Sequence, residues 1–345
     1  MIAVVTGSSG FLGSHLVDAL VARGVTVRAL VRPETRAPRD PRVAYWEADL
    51  LDDRSVRESR VWDGATQVYH LAGITRARTE AQFRAGNAVP TANVLAAIAA
   101  REGPPPRIVL VSSQAAGGPS RSADAPTRED DPPAPVEAYG RSKLLAEQAV
   151  LRHAGRLPVT IVRPAAIYGP RDRDFLAAFR QASRRLAIHG APPSQAFSIA
   201  HVHDVVQALL LAAERPEAVG HTYLVANDQP ITWRGLYEEI GRAAGTDPLQ
   251  LVIPLALLGV LAVGADAMAA LRGRPAGLLN RNKVALARPA AWVCDSSRIR
   301  QELGWNPSVP LQQGVRETYL WYRDAGWLRT PASQPIAASQ SDETA

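Results

Sequence analysis

Cysteine and lysine are both rare in this sequence. Cys294 is the one cysteine in 345 residues, which excludes an intrachain disulfide and a zinc site made of several cysteines. We expect such a chain in a reducing compartment, the cytoplasm. Lysine and arginine together number 39, yet only Lys143 and Lys283 are lysines. A general bias toward arginine is one explanation, and a chemical need for lysine at one position is the other.

Long apolar runs are also lacking. The longest, VIPLALLGVLAVGA at 252–265, is shorter than the ~18 residues that span a bilayer and contains Pro254. It predicts a buried or surface helix, so we expect no membrane span, with peripheral membrane contact through 252–265 as an option. The first residues, MIAVV, lack the charged and apolar regions of a signal peptide. Residues 329–345 are small and polar, which predicts a disordered tail.

Basic residues exceed acidic ones, but they are scattered along the chain. The net charge is +6, and no stretch concentrates it. Nucleic-acid-binding proteins commonly carry a basic stripe with interleaved aromatic residues, and this sequence has none. We therefore expect no nucleic-acid partner. A solvated surface and an anionic cofactor account for the charge.

Strand-like and helix-like segments alternate through the first 115 residues. Apolar runs such as IAVVT and TVRALV are separated by helical patterns such as FLGSHLVDALVARG. This order predicts an α/β protein with a Rossmann-type, doubly wound parallel sheet. Beyond residue 170 the alternation weakens, which predicts a smaller, mainly helical substrate-binding lobe at the C-terminal side. The predicted limits are 1–170 for the dinucleotide-binding domain, rejoined by about 197–228, and 171–196 with 229–328 for the lobe.

Three glycines follow the first predicted strand at intervals of three. Gly7, Gly10 and Gly13 lie in VVTGSSGFLGSHL, between a strand and a helix. Glycine lets the chain turn tightly and lets a pyrophosphate approach the backbone without a Cβ in the way. The helix N-terminus offers free N–H groups and positive partial charge to the phosphates. The segment therefore predicts a dinucleotide cofactor.

The end of the second predicted strand bears on the choice between NAD(H) and NADP(H). An NAD site places a carboxylate here for the ribose 2′-hydroxyl, whereas an arginine accommodates a 2′-phosphate. Arg32 occupies this position in RALVRPETR, so NADP(H) is favoured over NAD(H). Glu34 is the alternative, and it would hold the ribose if the strand ends later.

One of the two lysines lies in a predicted helix, EAYGRSKLLAEQAV at 137–150. Residues four apart share a face of a helix, so Tyr139 and Lys143 are expected to be neighbours. Lysine is a compact point charge, whereas arginine is a wide planar fork. A phenol beside an ammonium favours proton transfer near neutral pH, which is a chemical reason for lysine here.

The TGxxGxxG glycines and the YxxxK of Tyr139 and Lys143 together resemble the extended short-chain dehydrogenases/reductases, also called the NAD-dependent epimerase/dehydratase family. The resemblance runs from residue 1 to about 328. It implies a Rossmann fold, a nicotinamide cofactor, a small-molecule substrate and a homodimer formed through two long helices, one of them including 139–154. It also implies a catalytic group of Ser113, Tyr139 and Lys143, with Ser113 favoured over Ser112.

The same resemblance assigns further roles. The residues implied to contact the cofactor are Gly7, Ser9, Gly10, Phe11, Leu12, Gly13, Arg32, Asp49, Leu50, Leu71, Ala72, Gly73, Tyr139, Lys143, Pro164 and Ile167. Those implied to contact the substrate are Gln114, Tyr168 and Arg171.

Lys143 is expected to hold the nicotinamide ribose and to lower the pKa of Tyr139. Tyrosine titrates near 10, so a pKa of about 7 requires ~4 kcal/mol. A unit charge about 4 Å away supplies that amount at an effective dielectric constant of about 20.

The leading hypothesis for function is an NAD(P)-dependent oxidoreductase. It would transfer hydride to or from a carbonyl or hydroxyl group of a hydrophobic, steroid-, flavonoid- or ketone-like molecule. A nucleotide-sugar epimerase is the alternative, and a non-catalytic NADP-binding scaffold is the third. Gln114 and Ala115 stand where dehydratases of the family place carboxylates, and Ala166 stands where nucleotide-sugar enzymes often have asparagine.

Three other polar positions have structural explanations. Asn87 is as readily a side chain that ties the backbone as a catalytic group. Asp204 is expected to cap a helix. His201 and His203 have the spacing of metal ligands, but the sequence offers no third ligand beside them, so we expect no metal.

Overall fold

The computed structural model describes residues 1–35, 39–271 and 281–328. The strands, in chain order, are β1 (Ile2–Thr6), β2 (Thr26–Val31), β3 (Ala44–Glu47), β4 (Gln67–His70), β5 (Arg107–Val111), β6 (Val159–Pro164), β7 (Ala166–Tyr168), β8 (Leu186–His189), β9 (Ala196–Phe197), β10 (Ile199–His201), β11 (Thr222–Val225), β12 (Ile231–Thr232), β13 (Leu249–Val252) and β14 (Ala291–Trp292). The helices are α1 (Phe11–Ala22), α2 (Asp53–Glu58), α3 (Glu80–Ala99), α4 (Gln114–Gly117), α5 (Ala138–Leu151), α6 (Leu176–Ala182), α7 (Val202–Glu214), α8 (Trp233–Ala244), α9 (Leu255–Leu271), α10 (Arg281–Ala287), α11 (Ser297–Leu303) and α12 (Leu311–Asp324).

Seven strands form one parallel sheet in the order β11–β6–β5–β4–β1–β2–β3. The strand order reverses between β1 and β4, because the chain first builds outward to β3 and then returns to the other side of β1. Ligands of open α/β sheets bind outside the carboxyl ends of the strands at such a point. The predicted Rossmann-type parallel sheet is confirmed, and its switch point locates the candidate site.

Helices cover both faces of this sheet because successive strand residues point to opposite sides. Ala3 and Val5 of β1 pack with α1, α7 and α11 in one core. Val4, between them, packs with α2, α3 and α5 in a second core on the other face. All three side chains are fully buried. The near-continuous apolar runs of the sequence therefore correspond to strands buried on both faces.

The later part of the chain has its own apolar core. Aromatic residues from three elements meet there, including Tyr168, Phe179 and Tyr322. Its helices are accompanied by short strand pairs, such as β8 with β13 and β9 with β12 and β14. The pattern RDFLAAFRQASRRLAI at 173–188 predicts a helix; this is confirmed for 176–182 and wrong for the last residues. Helix α6 ends at Ala182, and β8 follows because it pairs in parallel with β13.

Helix α9 lies at the surface of this part of the molecule. Leu257, Val260 and Leu261 are 50%, 70% and 46% exposed. Of the two expectations for the run 252–265, a surface helix is therefore the correct one. Within the described ranges, no helix combines the length and the apolar character needed to cross a membrane. The predicted disordered tail, 329–345, lies outside the described residues.

Candidate functional site

The glycine segment forms a tight loop between β1 and α1. Gly7 has φ of +70°, and a Cβ there would lie 2.8 Å from the backbone nitrogen of Ala72. A Cβ on Gly13 would lie 2.1 Å from the carbonyl oxygen of Gly7. Gly10 is the N-cap of α1 and has no side chain, so no capping side chain occupies the N–H groups at this end of the helix. The loop is thus a backbone cradle that fits a pyrophosphate.

The next strand of the sheet brings a second backbone segment beside the loop. Leu71, Ala72 and Gly73 follow β4, and the Ala72 N–H donates to the Thr6 hydroxyl over 3.1 Å. A Cβ on Gly73 would lie 2.6 Å from the Asn87 amide oxygen and 3.7 Å from the Lys143 Nζ. Segment 71–73 therefore lies between the glycine loop and the lysine.

Asn87 holds this segment in place. Its Oδ1 accepts from the Ile74 N–H at 2.8 Å, and its Nδ2 donates to the Ile74 carbonyl at 3.1 Å and to the Ser142 hydroxyl at 2.8 Å. The structural explanation for Asn87, a side chain that ties the backbone, is confirmed. It fixes the loop after β4 against α5.

Ser113 and Tyr139 meet at the carboxyl end of β5. Ser113 caps α4 by accepting from the Ala115 N–H over 3.2 Å, and its hydroxyl lies near enough to the Tyr139 phenol to lower the pKa of that phenol. Tyr139 is half-buried and lies in the first turn of α5. Its ring packs edge-on against Phe83, with 6.1 Å between ring centroids. The predicted pair of hydroxyls therefore comes from two residues that lie 26 positions apart in the chain.

Gly140 permits this meeting, and sequence reasoning missed its role. A Cβ on Gly140 would lie 2.3 Å from the Ala115 carbonyl oxygen. Only glycine therefore lets α5 approach the segment that carries Ser113. The signal was present in the sequence as a glycine inside the YxxxK motif.

The lysine of the same motif points at β5. The Lys143 ammonium donates to the carbonyl oxygen of Val111 over 2.7 Å and is buried. Burial lowers its pKa to about 8, and the nearby Glu147 carboxylate opposes part of that shift. Lys143 and Tyr139 are neighbours on α5, as their spacing predicts.

The expectation that Lys143 lowers the pKa of Tyr139 is wrong for this arrangement. Burial raises the pKa of Tyr139 to about 12, and the Ser113 hydroxyl opposes part of the rise. The charges that act on the phenol are the carboxylates of Glu137 and Asp174, which raise its pKa further. The phenol is therefore protonated at neutral pH.

The two candidate serines have different surroundings. Ser112 donates to Glu147, whose two carboxylate oxygens also accept from Arg163 at 2.9 and 2.6 Å. The Glu147 and Arg163 side chains are only 6% exposed. Ser112 thus belongs to a buried ion-pair network, and Ser113 is the serine beside Tyr139.

The remaining cofactor candidates line the carboxyl end of the sheet. Arg32 directly follows β2 and is exposed, as is Glu34, and Arg32 makes no ion pair with the described residues. Asp49 and Leu50 follow β3, and the Leu50 carbonyl accepts from Asn93 over 2.9 Å. The other candidates are Ser9 just before α1, Phe11 and Leu12 in its first turn, Pro164 at the end of β6 and Ile167 in β7.

The three substrate candidates are not brought together. Gln114 adjoins Ser113, and its buried Nε2 has no hydrogen-bond partner among the described residues. Tyr168 is fully buried and packs edge-on against His201 at 5.2 Å between ring centroids. Arg171 pairs with Asp18 at 2.8 Å on the outer side of α1. Of the three, only Gln114 adjoins the Ser113–Tyr139 pair in the chain.

Asp204 and the neighbouring histidines differ from expectation. Asp204 does not cap α7; its carboxylate accepts from the Ser308 N–H and hydroxyl at 2.8 and 2.7 Å and so anchors the approach to α12. His201 is fully buried, and burial lowers its pKa to about 3. The expectation that His201 and His203 lack a third ligand is wrong, because Glu317 of α12 lies beside them.

Comparisons with known proteins agree with this geometry. The sequence model of the NAD-dependent epimerase/dehydratase family matches residues 3–226. The ceramide reductase of Caulobacter vibrioides is 32% identical over 95% of this chain and 96% of its own. The 4-hydroxy-2-methyl-3-oxo-4-farnesyl-3,4-dihydroquinoline-1-oxide ketoreductase of Stigmatella aurantiaca is 34% identical over 90% of this chain and 93% of its own. The crystal structure of UDP-glucose 4-epimerase from Thermotoga maritima has the same fold, with a TM-score of 0.75, 20% identity and coverage of 94% and 99% of the two chains.

Proposed function

Since this chain belongs to the NAD-dependent epimerase/dehydratase family of extended short-chain dehydrogenases/reductases, we propose that it transfers hydride between a nicotinamide cofactor and a hydrophobic carbonyl or hydroxyl compound. The observation that carries this proposal is the approach of the Ser113 hydroxyl to the Tyr139 phenol, with Lys143 one turn further along α5. A hydroxyl pair of this kind can hold a carbonyl oxygen and supply its proton.

Tyr139 is the proposed general acid. Because its pKa is raised to about 12, the phenol keeps the proton that a reduction needs to deliver to the substrate oxygen. The Ser113 hydroxyl, which lies beside the Tyr139 phenol, donates a hydrogen bond to that oxygen and so orients it. For oxidation of an alcohol, the phenol must first lose its proton, which requires positive charge nearby. Lys143 and an oxidised nicotinamide are the proposed sources of that charge.

The cofactor fits the backbone around β1 and β4. We assign the pyrophosphate to the Gly7–Gly13 loop and the free N–H groups of α1, and the nicotinamide end to segment 71–73, Pro164 and Ile167. Lys143, which is close to Gly73, would hold the ribose there. When bound, the nicotinamide donates or accepts the hydride. We propose NADP(H) over NAD(H), with Arg32 at the end of β2 as the partner of the 2′-phosphate.

A hydrophobic substrate is supported by the relatives, because the ceramide and farnesyl compounds in their names are apolar molecules. The buried Gln114 Nε2 beside Ser113, which has no partner among the described residues, could donate to the oxygen of such a substrate. A sugar diphosphate needs a free cation, and Arg171, the candidate for that task, is already paired with Asp18. A nucleotide-sugar epimerase is therefore the less supported function.

NADPH oxidation with hydrophobic ketones and aldehydes, compared with UDP- and dTDP-sugars, tests this proposal. We expect turnover with the first panel only, and Tyr139→Phe should lower it by about 10²–10⁴-fold with little change in cofactor affinity. Tyr319→Phe is the matched control, because it removes the hydroxyl of a phenol on α12.

Undiminished turnover in Tyr139→Phe would contradict the catalytic assignment. Tight UDP binding that Arg171→Ala abolishes would favour the epimerase, and NADPH binding without any turnover would favour a scaffold.

We also propose a homodimer formed through α3 and α5. These helices pack against each other, and Leu145 and Leu151 of α5 are 37% and 68% exposed. Pairing of two copies would cover both leucines. Light scattering should give twice the mass of 37.0 kDa, and Leu151→Glu should give the monomer.

Peripheral contact with a lipid surface through 252–265 is supported by the exposed face of α9. Arg184 and Arg185 lie exposed at the adjacent strand pair, where the Leu249 N–H donates to the Arg185 carbonyl over 3.0 Å. Apolar residues flanked by cations suit an anionic bilayer surface. Sedimentation with anionic vesicles should retain the wild type and lose Val260→Glu. A cytoplasmic location stays a prediction.

A further inference from the structure

Three side chains with metal-ligating atoms converge where β10, α7 and α12 meet. His201 ends β10, His203 lies in the first turn of α7, and Glu317 lies on α12. One ligand atom of each lies within 4.8 Å of the other two. The His201 Nε2 is 3.9 Å from the Glu317 Oε2. The carboxylate thus reaches the histidines from a helix more than 100 residues later in the chain.

His201 is the unusual member of this group. Its side chain is fully buried, and neither ring nitrogen has a hydrogen-bond partner among the described residues. Buried polar atoms are nearly always hydrogen-bonded, so an imidazole with both nitrogens unpartnered calls for a ligand. Its neighbours are aromatic: the rings of Tyr168 and His203 lie edge-on at 5.2 and 4.9 Å between centroids.

The group opens onto a surface groove of about 470 Å³. The groove is lined by His203 and Glu317, and also by His15, Arg171 and Trp321. His203 is exposed and the Glu317 side chain is 39% exposed, so both can move, whereas His201 is fixed. An ion can therefore enter from solvent, and water in the groove can complete its coordination.

We propose that His201, His203 and Glu317 bind a divalent transition-metal ion, with Zn²⁺ as the reference ion. Two imidazoles and one carboxylate are a ligand set that zinc accepts, with a water at the fourth position. Bonds of about 2.0–2.1 Å in a tetrahedron separate neighbouring ligand atoms by about 3.4 Å. The His201–Glu317 distance of 3.9 Å and the other two distances, which are within 4.8 Å, shorten to this value if the His203 and Glu317 side chains rotate inward.

The ion would join α12 to the body of the molecule. Helix α12 already packs closely here, because a Cβ on Gly314 would lie 2.5 Å from the Tyr168 hydroxyl and 3.0 Å from the His201 ring. Asp204 anchors the chain just before this helix. Metal binding would add a third attachment, one that forms only in the folded chain.

Zinc titration of tag-free, chelator-treated protein tests the proposal. The wild type should bind one Zn²⁺ per chain, and His203→Ala and Glu317→Gln should each weaken binding by more than about 100-fold, beyond the range for loss of an outer-shell partner. His221→Ala is the matched control, because the His221 Nδ1 lies 3.8 Å from Glu302 and no third ligand joins this pair from the part of the chain that the structure describes. It should bind Zn²⁺ like the wild type.

Two further measurements make the outcome decisive. Zn²⁺ should raise the melting temperature of the wild type and of His221→Ala but not of Glu317→Gln, because only a folded-state site stabilises by mass action. Co²⁺ should give the intense visible absorption of a four-coordinate site in the wild type and in His221→Ala, but not in Glu317→Gln. Equal Zn²⁺ uptake in the wild type, His203→Ala and Glu317→Gln, or no uptake in the wild type, would overturn the proposal. If His203→Ala does not fold, Glu317→Gln decides, since Gln keeps the size of the side chain.

Discussion

The Cα of Gly140 lies so close to the carbonyl oxygen of Ala115 that a methyl group at this position would stand 2.3 Å from it. The contact joins α5 to the segment that carries Ser113. The distance between the two hydroxyls that we propose to be catalytic, those of Ser113 and Tyr139, therefore depends on a residue that has no reactive group of its own.

Gly140→Ala should destabilise the protein and reduce turnover together. Relief of the clash must move α5 or the 113–117 segment, and overpacking of this kind costs about 1–3 kcal/mol. Urea unfolding measures the first effect and NADPH oxidation the second. Gly259→Ala is the matched control, because a Cβ there meets nothing within 4 Å. It should leave stability unchanged or slightly higher. A Gly140→Ala protein as stable and active as the wild type would refute the close-approach argument.

Ser113→Ala and Ser112→Ala should differ in their effect on turnover. The Ser113 change removes the hydroxyl beside Tyr139 and should lower turnover at least about tenfold; it also removes the N-cap of α4, which costs about 0.5–2 kcal/mol of stability. The Ser112 change removes a donor to the buried Glu147 carboxylate and should cost about 1–3 kcal/mol of stability with turnover retained. Parallel urea unfolding and steady-state kinetics separate the two. Loss of turnover in Ser112→Ala alone would move the catalytic role to that residue.

Arg32→Ala should weaken NADPH binding by about 10- to 100-fold and leave NADH binding nearly unchanged. A hydrogen bond to a charged group contributes about 1.5–3 kcal/mol, and only NADPH has the 2′-phosphate to receive it. Fluorescence titration with each cofactor measures both affinities. Glu34→Gln is the paired variant: weaker NADH binding there, with Arg32→Ala unchanged, would assign the ribose to Glu34 instead.

His70→Gln should reduce the loss of stability in acid. The His70 ring nitrogens contact the Thr6 hydroxyl at 2.8 Å and the Thr91 hydroxyl at 3.1 Å, and burial lowers its pKa to about 3, with the Lys143 charge adding to the shift. Unfolded histidine titrates near 6.5, so between pH 6.5 and 3 the unfolded state binds a proton that the native state does not. The unfolding free energy should therefore fall as the pH falls, by up to about 1.4 kcal/mol per pH unit from this residue.

Urea unfolding at pH 7, 6 and 5 measures this slope. His70→Gln should make it shallower, whatever its effect on stability at pH 7. His221→Gln, which changes an exposed histidine, should keep the slope of the wild type. Equal slopes in all three proteins would contradict this prediction, because they would mean that His70 binds its proton over the same pH range in the native and the unfolded states.

The sequence was sufficient for the parts of the fold that depend on local pattern. The apolar runs that became β1 and β2 and the helical pattern of α1 are confirmed, because strands buried on both faces are apolar throughout and end at turn residues. Helix α6 and strand β8 show the limit. Leu186–His189 is helical by local pattern, and only its pairing with β13, more than 50 residues later, makes it a strand.

The site shows the same division. Tyr139 and Lys143 were predictable as neighbours because four residues make one turn. The direction of Lys143 was not, since the Val111 carbonyl that accepts its hydrogen bond lies on another element. Glu317 carries no local signal at all: it meets His201 only because α12 crosses the end of β10. Contacts between distant segments depend on packing, which periodicity does not report.

The position of β11 at the edge of the sheet also affects how the chain folds during synthesis. All six residues of β6 are buried, and β11 pairs with it from residues 222–225. At synthesis rates of ~5–20 residues per second, β6 emerges on the order of several seconds before its partner. During that interval it is an apolar strand with an open edge, the kind that pairs with other chains. A fragment cut near residue 170 would keep that edge permanently, so we expect it to aggregate even though it contains the entire glycine loop, Ser113, Tyr139 and Lys143.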